Sequence, residues 1–514
     1  MNMQWMSGRM WAVVWVMGSL MLAGCGSSTS SQDAGPPDDA GTLDDAGSSP
    51  DAGPSPDAGN PDGGETAEGL PCERTLGVCA GARRARVDGV HESVCTSRSY
   101  GAAYEDVETR CDGVDNDCDG VTDPPARWSK VASLTEASTR NNVSSLRVAD
   151  GVLLATVGSV GVARLTRLDT SLAPLETTEV SVAVVTPESF STMYSQLLAT
   201  SRGPALYYSS SDGMPDNTRG FLIPLDAQGH PQPGPRGGTV LFDHPVARVS
   251  SRVALSADGS RVFAVWKDAA STTRTARELI GTVTDLDGQV QVAPRSLFQI
   301  RPPSSATLTD VDVLPLRDGG FLVSVIEDAL EAEGGTLRLQ RFDSELLPVG
   351  DERSYEPGYE ARPRLVDLGA EAGGPQASAA LVMRNLEGFS SLKLMKNLFE
   401  GGAAEPLTRT TSSEHAWFEP RMTSRGLQVA WLSASYQPPS GGEDWFNWRG
   451  RFWGLSPGGT PRDWTPGTEA FPLHRYAQWV LLEELPENWM GAFVMTSTQT
   501  PETHELQAVR YCAP

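Results

Sequence analysis

Between Cys111 and Asp123 the chain reads Cys-Asp-Gly-Val-Asp-Asn-Asp-Cys-Asp-Gly-Val-Thr-Asp. Asp115, Asp117 and Asp119 stand at alternate positions, Gly120 follows at once, and Asp123 comes three residues later. Carboxylates this close repel one another unless a cation neutralises them. Hard oxygens around a tight glycine turn are the donor set of a calcium loop. In such a loop Asp115, Asp117 and Asp119 take the first, third and fifth places. Gly120 makes the turn, Val121 offers its backbone carbonyl at the seventh place and Asp123 sits at the ninth. The twelfth place, where a bidentate glutamate is expected, is Ala126. Another carboxylate must therefore complete the shell, and Glu108 and Asp112 are the nearest. The expected cofactor is a structural Ca2+.

Seven cysteines accompany the loop. Cys25 closes the stretch Leu22-Ala23-Gly24-Cys25, after an apolar run from Trp11 to Ala23 with Arg9 ahead of it. This layout resembles the lipobox of bacterial lipoproteins. The resemblance implies a signal peptide over residues 1–24 and a lipid on Cys25. The apolar run is shorter than the roughly 20 residues a spanning helix needs. Without a second such run, attachment to a membrane rests on the lipid anchor alone. Gly26 in place of an acidic residue favours the outer membrane or cell surface. The other six cysteines, Cys72, Cys79, Cys95, Cys111, Cys118 and Cys512, form an even set suited to three disulfides outside the cytosol, with the connectivity left open. A Cys111–Cys118 bridge would cinch the aspartate loop, and Cys512 would tie the C-terminus back to the cysteine module. Zinc is the rival use of these thiols, but the chain has no CxxC pair.

Residues 25–69 are built of Asp, Ala, Gly, Pro and Ser, with Asp-Ala-Gly recurring at Asp33, Asp39, Asp45, Asp51 and Asp57. Such a segment has too little apolar surface to offset its ordering entropy, so a disordered stalk is expected. The net charge of −24 and the lack of a basic stripe speak against nucleic acid as a partner.

Residues 70–125 form a module too small to hold a core by apolar burial alone, which the disulfides would staple. Here Glu108-Thr109-Arg110-Cys111 running on to Cys118-Asp119-Gly120, with Gly77-Val78-Cys79-Ala80-Gly81 and the Tyr100 to Glu105 stretch upstream, resembles the metal-binding motif of MopE-type surface proteins of bacteria. The resemblance covers a small part of the chain and implies a structural calcium at the cell surface. Relatives of this module tend to carry a cysteine where this chain has Arg86, so their bridging pattern does not transfer intact. Copper is disfavoured because His91 is the module's one histidine.

From residue 126 to 514 the composition turns to valine, leucine, threonine and aromatics between Gly-, Pro-, Asn- and Asp-containing turns. A turn leading into an apolar strand recurs at Asp150-Gly151, Arg202-Gly203, Asp258-Gly259, Asp318-Gly319, Gly373-Gly374, Arg425-Gly426 and Pro486-Glu487-Asn488. A second strand and turn follow at Leu165 to Asp169, Ile223 to Asp226, Val283 to Gly288, Leu339 to Asp343 and Phe452 to Gly458. Each unit has the length of a four-stranded blade. The last unit stops after three strands, and Trp128 to Leu134 is available as its fourth. The expected fold is mainly β: a seven-bladed β-propeller closed by its N-terminal strand. Six or eight blades, or two stacked β-sandwiches, are the alternatives.

The six histidines form no HExxH or HxH pair, and there is no GxSxG elbow, phosphate loop or GxGxxG. No catalytic residue is assigned, and the chain is not expected to be an enzyme. The aromatics from Trp445 to Trp464 are read as wedges between sheets rather than a sugar platform. The expected role is binding of a protein or glycan by a lipid-anchored envelope protein. A polysaccharide hydrolase or lyase, or a purely structural surface protein, are the alternatives. Several acids and an arginine from different blades at the channel mouth would favour chemistry there, and a wall of small apolar residues would dismiss it.

Overall fold

Two turn chemistries punctuate the β-domain and set its strands. In the first, a hairpin glycine takes a left-handed backbone: Gly259 has φ +68°, and a Cβ there would lie 2.8 Å from the Ser201 amide nitrogen. In the second, an aspartate side chain folds back on its own backbone. Asp169, Asp226, Asp285 and Asp343 each accept from the amides two and four residues on, at 2.8–3.0 Å. These aspartates recur because they close the same loop in successive units.

The computed structural model describes residues 69–123 and, between 127 and 512, the strands and the shorter turns that join them. The expected signal segment with Cys25, the expected stalk up to residue 68, Ala126 and the Gly373-Gly374 turn lie outside the described residues, as do the side chains of the Trp445 to Trp464 aromatics. Among the described residues no helix is long and apolar enough to cross a membrane.

The β-domain is mainly antiparallel β, in seven four-stranded sheets among the described residues. Their first strands are Val143–Val148, Ser191–Thr200, Ser251–Leu255, Thr307–Pro315, Arg364–Asp367, Ser413–Thr423 and Tyr476–Glu484. We number the sheets one to seven in that order. In sheets one to six the strands run in chain order as a meander. Sheet seven takes its fourth strand from the other end of the domain. Arg127–Leu134 pairs with His504–Cys512, with Trp128 opposite Val509 and Leu134 opposite His504. The first strands of successive sheets adjoin one another, and the first strand of sheet seven adjoins those of sheets six and one.

Burial grades from the second strand outward. Gly151–Val157 is buried at every position, as a strand covered on both faces must be. The fourth strand of the same sheet, Pro174–Ser181, is mostly exposed. Large side chains fill the gaps between sheets. Phe242 of sheet two stacks on Trp266 of sheet three at 4.6 Å, and Phe263 meets Phe321 of sheet four at 4.3 Å. Burying each such side chain stabilises the fold by roughly 1.5–3 kcal/mol.

The cysteine module has little regular structure: a two-residue hairpin, Arg86–Val87 with Val90–His91, and a single helical turn, Ser97–Tyr100. Its core is Cys72, Cys79, Cys95, Cys118 and Tyr100. The bridges are Cys72–Cys95, Cys79–Cys118 and Cys111–Cys512. The expected Cys111–Cys118 bridge is therefore not formed. Cys118, at φ +61°, turns into the module's core toward Cys79. Cys111 is buried among Leu485, Trp489 and Leu506 of sheet seven. The bridge to Cys512 ties the module to the last strand, as expected of that residue.

Candidate functional sites

Within the aspartate loop, Glu108, Asp115 and Asp117 bring carboxylate oxygens within 4.8 Å of one another. Asp115 is only 7% exposed. Its two oxygens accept from the amides of Asp119 at 3.1 Å and Gly120 at 3.0 Å, which shapes the turn. Glu108 Oε2 accepts from the Asn116 amide at 2.6 Å, while its Oε1 is buried without a hydrogen-bond partner. Burial pushes the Glu108 carboxyl above its ordinary value. The amides of Asn116 and Asp117 pull it down, and the charges of Glu105 and Asp117 raise it further. A buried carboxylate oxygen with no donor, beside two more carboxylates, fits a hard divalent cation of the Ca2+ type. All six cysteines of the module and its latch are in disulfides, so no thiolate remains there for zinc.

The other predicted ligands lie apart from this group. Asp112 accepts from the Val114 amide and the Asn116 side chain, both at 3.0 Å. Asp119 is exposed and caps the Val121 amide at 2.7 Å. The Val121 side chain is exposed too. Asp123 accepts from the Gly113 amide at 2.9 Å and sits beside Cys111 and Cys512. Of the two residues nearest in sequence that could complete the shell, Glu108 is the one drawn in.

The second site lies where the seven first strands meet. A cavity of about 260 Å³ is lined by residues from every one of them. Its polar lining includes Ser145 of sheet one, Tyr194 and Ser195 of sheet two, Arg252 of sheet three, Asp312 of sheet four, Arg364 of sheet five, Glu419 and Arg421 of sheet six, and Glu483 of sheet seven. Glu483 is only 1% exposed. It accepts from Arg421 Nη2 at 2.8 Å and from the Ser145 hydroxyl at 2.7 Å. Asp312 accepts from the Leu365 amide at 2.7 Å. The Arg252 guanidinium lies 4.2 Å from the centre of the Tyr194 ring. The Ser195 hydroxyl, on a residue 2% exposed, is without a partner.

Burial dominates the acid–base character of this cavity. It pushes Glu419 up to about 7, against the pull of Arg364 and Arg421, and the charges of Asp312 and Glu483 add to the rise. It also raises Asp312 against Arg364, and Glu483 against Arg421. Asp312 and Glu419 line the cavity and are only partly buried, so a solute can reach them.

None of these residues was singled out from the sequence, though a signal was present. Ser144, Gln196, Arg252, Asp312 and Glu419 each stand six positions before the residue that precedes a turn glycine, at Asp150-Gly151, Arg202-Gly203, Asp258-Gly259, Asp318-Gly319 and Arg425-Gly426. A polar residue at one fixed offset from a recurring turn marks a shared face of equivalent strands.

No protein-family model matches the chain, and no curated protein matches it. Among solved structures it is similar to an alpha-L-arabinanase of Penicillium chrysogenum complexed with arabinobiose, at 12% identity over 61% of this chain and 94% of that one, with a TM-score of 0.42. It is also similar to the periplasmic gluconolactonase of Pseudomonas aeruginosa, at 15% identity over 65% and 87%, with a TM-score of 0.38. A third likeness is to prolyl oligopeptidase B of Galerina marginata, at 12% identity and a TM-score of 0.44, covering 73% of this chain and 50% of that protein. Likenesses at this level decide no activity.

Proposed function

We propose that this chain is a lipid-anchored protein of the bacterial cell envelope, in which a calcium-stiffened cysteine module joins a stalk to a glycan-binding β-propeller. The seven sheets are read as seven blades. The supporting pattern is their common meander, the succession of their first strands from one sheet to the next and back to the first, and the shared last sheet. One observation supports binding: a cavity served by all seven first strands presents three carboxyls and three arginines instead of small apolar side chains, a set that also meets the expectation for chemistry and so keeps the second reading below. Such a site can hydrogen-bond a ring of hydroxyls from several directions at once. Its volume suits a single sugar residue or chain end. Titration calorimetry of the full chain with mono- and oligosaccharides tests this. Binding is expected, and is expected to vanish in the double variant Arg364→Ala/Glu419→Ala. If no sugar binds, the reading is wrong.

A second reading, cleavage of a polysaccharide, is favoured by Glu419, pushed up to about 7 in the same cavity as two further carboxyls. A carboxyl near neutrality can give a proton that a neighbouring carboxylate cannot. Release of reducing ends or unsaturated products, abolished by Glu419→Gln, distinguishes cleavage from binding.

A further inference from the structure

Charges in the cavity are unevenly matched. Glu483 answers Arg421 through a 2.8 Å ion pair. Arg252 and Arg364, on sheets three and five, flank Asp312 on sheet four, and neither forms an ion pair with a described residue. Arg364 Nη1 reaches only the neighbouring Pro363 carbonyl, at 3.0 Å. Arg252 is held over the Tyr194 ring. Each guanidinium therefore keeps donors that meet no acceptor among the described residues. Asp312 and Glu419 act on Arg364 through their charge without forming an ion pair with it, and burial raises both carboxyls. The cavity thus carries unused cationic donors, together with the unpartnered Ser195 hydroxyl.

From this juxtaposition, and resting on the sugar-binding reading above, we infer that the cavity takes an acidic sugar, a uronate ring whose planar carboxylate is received by Arg252 and Arg364 while its hydroxyls meet Ser195 and Glu419. Guanidinium forks match a carboxylate through paired N–H···O bonds, a geometry that a neutral hydroxymethyl group cannot reproduce. A neutral analogue leaves these half-buried donors without a charged acceptor, so the acid is favoured over it. The cavity of about 260 Å³ lies just below the range of roughly 300–1,000 Å³ typical of drug-sized ligands, which suits one ring.

The test is calorimetry of the full chain with D-galacturonate and D-glucuronate, their methyl esters, and D-galactose. At least one uronate is expected to bind tenfold or more tightly than its own methyl ester. Arg252→Gln and Arg364→Gln are each expected to erase that preference, with the melting temperature and residual galactose binding reporting that the fold survives. Arg364→Lys, which keeps the charge and loses the fork, is expected to fall between the two. Equal affinity for acid and ester, or a preference that survives both glutamine variants, overturns the acidic-sugar inference and leaves sugar binding standing. Failure of every sugar to bind removes both.

Discussion

Glu419→Gln offers the sharpest test of the cavity's electrostatics. The wild-type carboxyl is pushed from an ordinary 4.5 up to about 7, chiefly by burial. A group whose folded-state pKa is raised contributes its stability below the unfolded value and loses it as pH rises through the folded one. At about 1.36 kcal/mol for each pH unit, ionised Glu419 should cost the fold about 3 kcal/mol, developing between pH 4.5 and about 7 and complete above it. Glutamine is nearly isosteric and never ionises. The variant should therefore match wild type near pH 4 and exceed it by about 3 kcal/mol near pH 8.5. With about 2.1 cal/mol/K of unfolding entropy per residue and a domain of roughly 390 residues, this is a melting difference of about 3–4 °C. Calorimetric melts of both proteins from pH 4 to 9 measure it. A gap that stays constant across that range would refute the argument that the fold raises this carboxyl above its ordinary value.

The calcium reading predicts that EDTA lowers the melting temperature. Calcium at a hundredfold excess over its Kd should restore about 2.7 kcal/mol, and Asp115→Asn or Glu108→Gln should remove the response. An unchanged melt in EDTA would sink that reading. Gly77→Ala should mimic metal loss, because Gly77 has φ +49° and a Cβ there would lie 2.0 Å from the Asp115 carbonyl oxygen. Full calcium affinity in that variant would show that the loop does not depend on this close approach. Arg338, with a side chain 5% exposed, pairs with Glu327 at 2.8 Å and Glu352 at 2.7 Å. Arg338→Ala should destabilise by about 3–5 kcal/mol by taking the guanidinium from between the two acids, read by denaturant titration. Cys512→Ser should cost about 2–5 kcal/mol, and peptide mapping of the wild type under non-reducing conditions should recover Cys111 joined to Cys512.

Much of the architecture was legible because turn chemistry is local. Asp258-Gly259 or Asp343 declares a bend within a few residues, and apolar strands fill the intervals. The strand Arg127–Leu134 could be matched to sheet seven because the final unit was visibly one strand short. Disulfide pairing was not legible. Cys111 and Cys118 are close in the chain, yet the loop backbone sends one into the β-domain's core and the other into the module's. The aspartate loop showed which residues could hold a cation, but not which would turn inward. That depends on backbone amides: those of Asn116 and Asp117 draw Glu108 in, while Asp119 is held outward over Val121. The cavity was the least legible feature. Its residues are far apart in sequence, and an isolated Arg252 or Glu419 on a strand reads as an ordinary exposed position until several strands converge.

Pairing Arg127–Leu134 with His504–Cys512 also dictates an order of events during biogenesis. A chain made from its N-terminus releases the first of these strands long before its mate exists, so that edge stays open while six sheets form beside it. Synthesis of His504–Cys512 then completes the pair and brings Cys512 within reach of Cys111. Chains that lack His504–Cys512 should therefore expose a bare strand edge and aggregate.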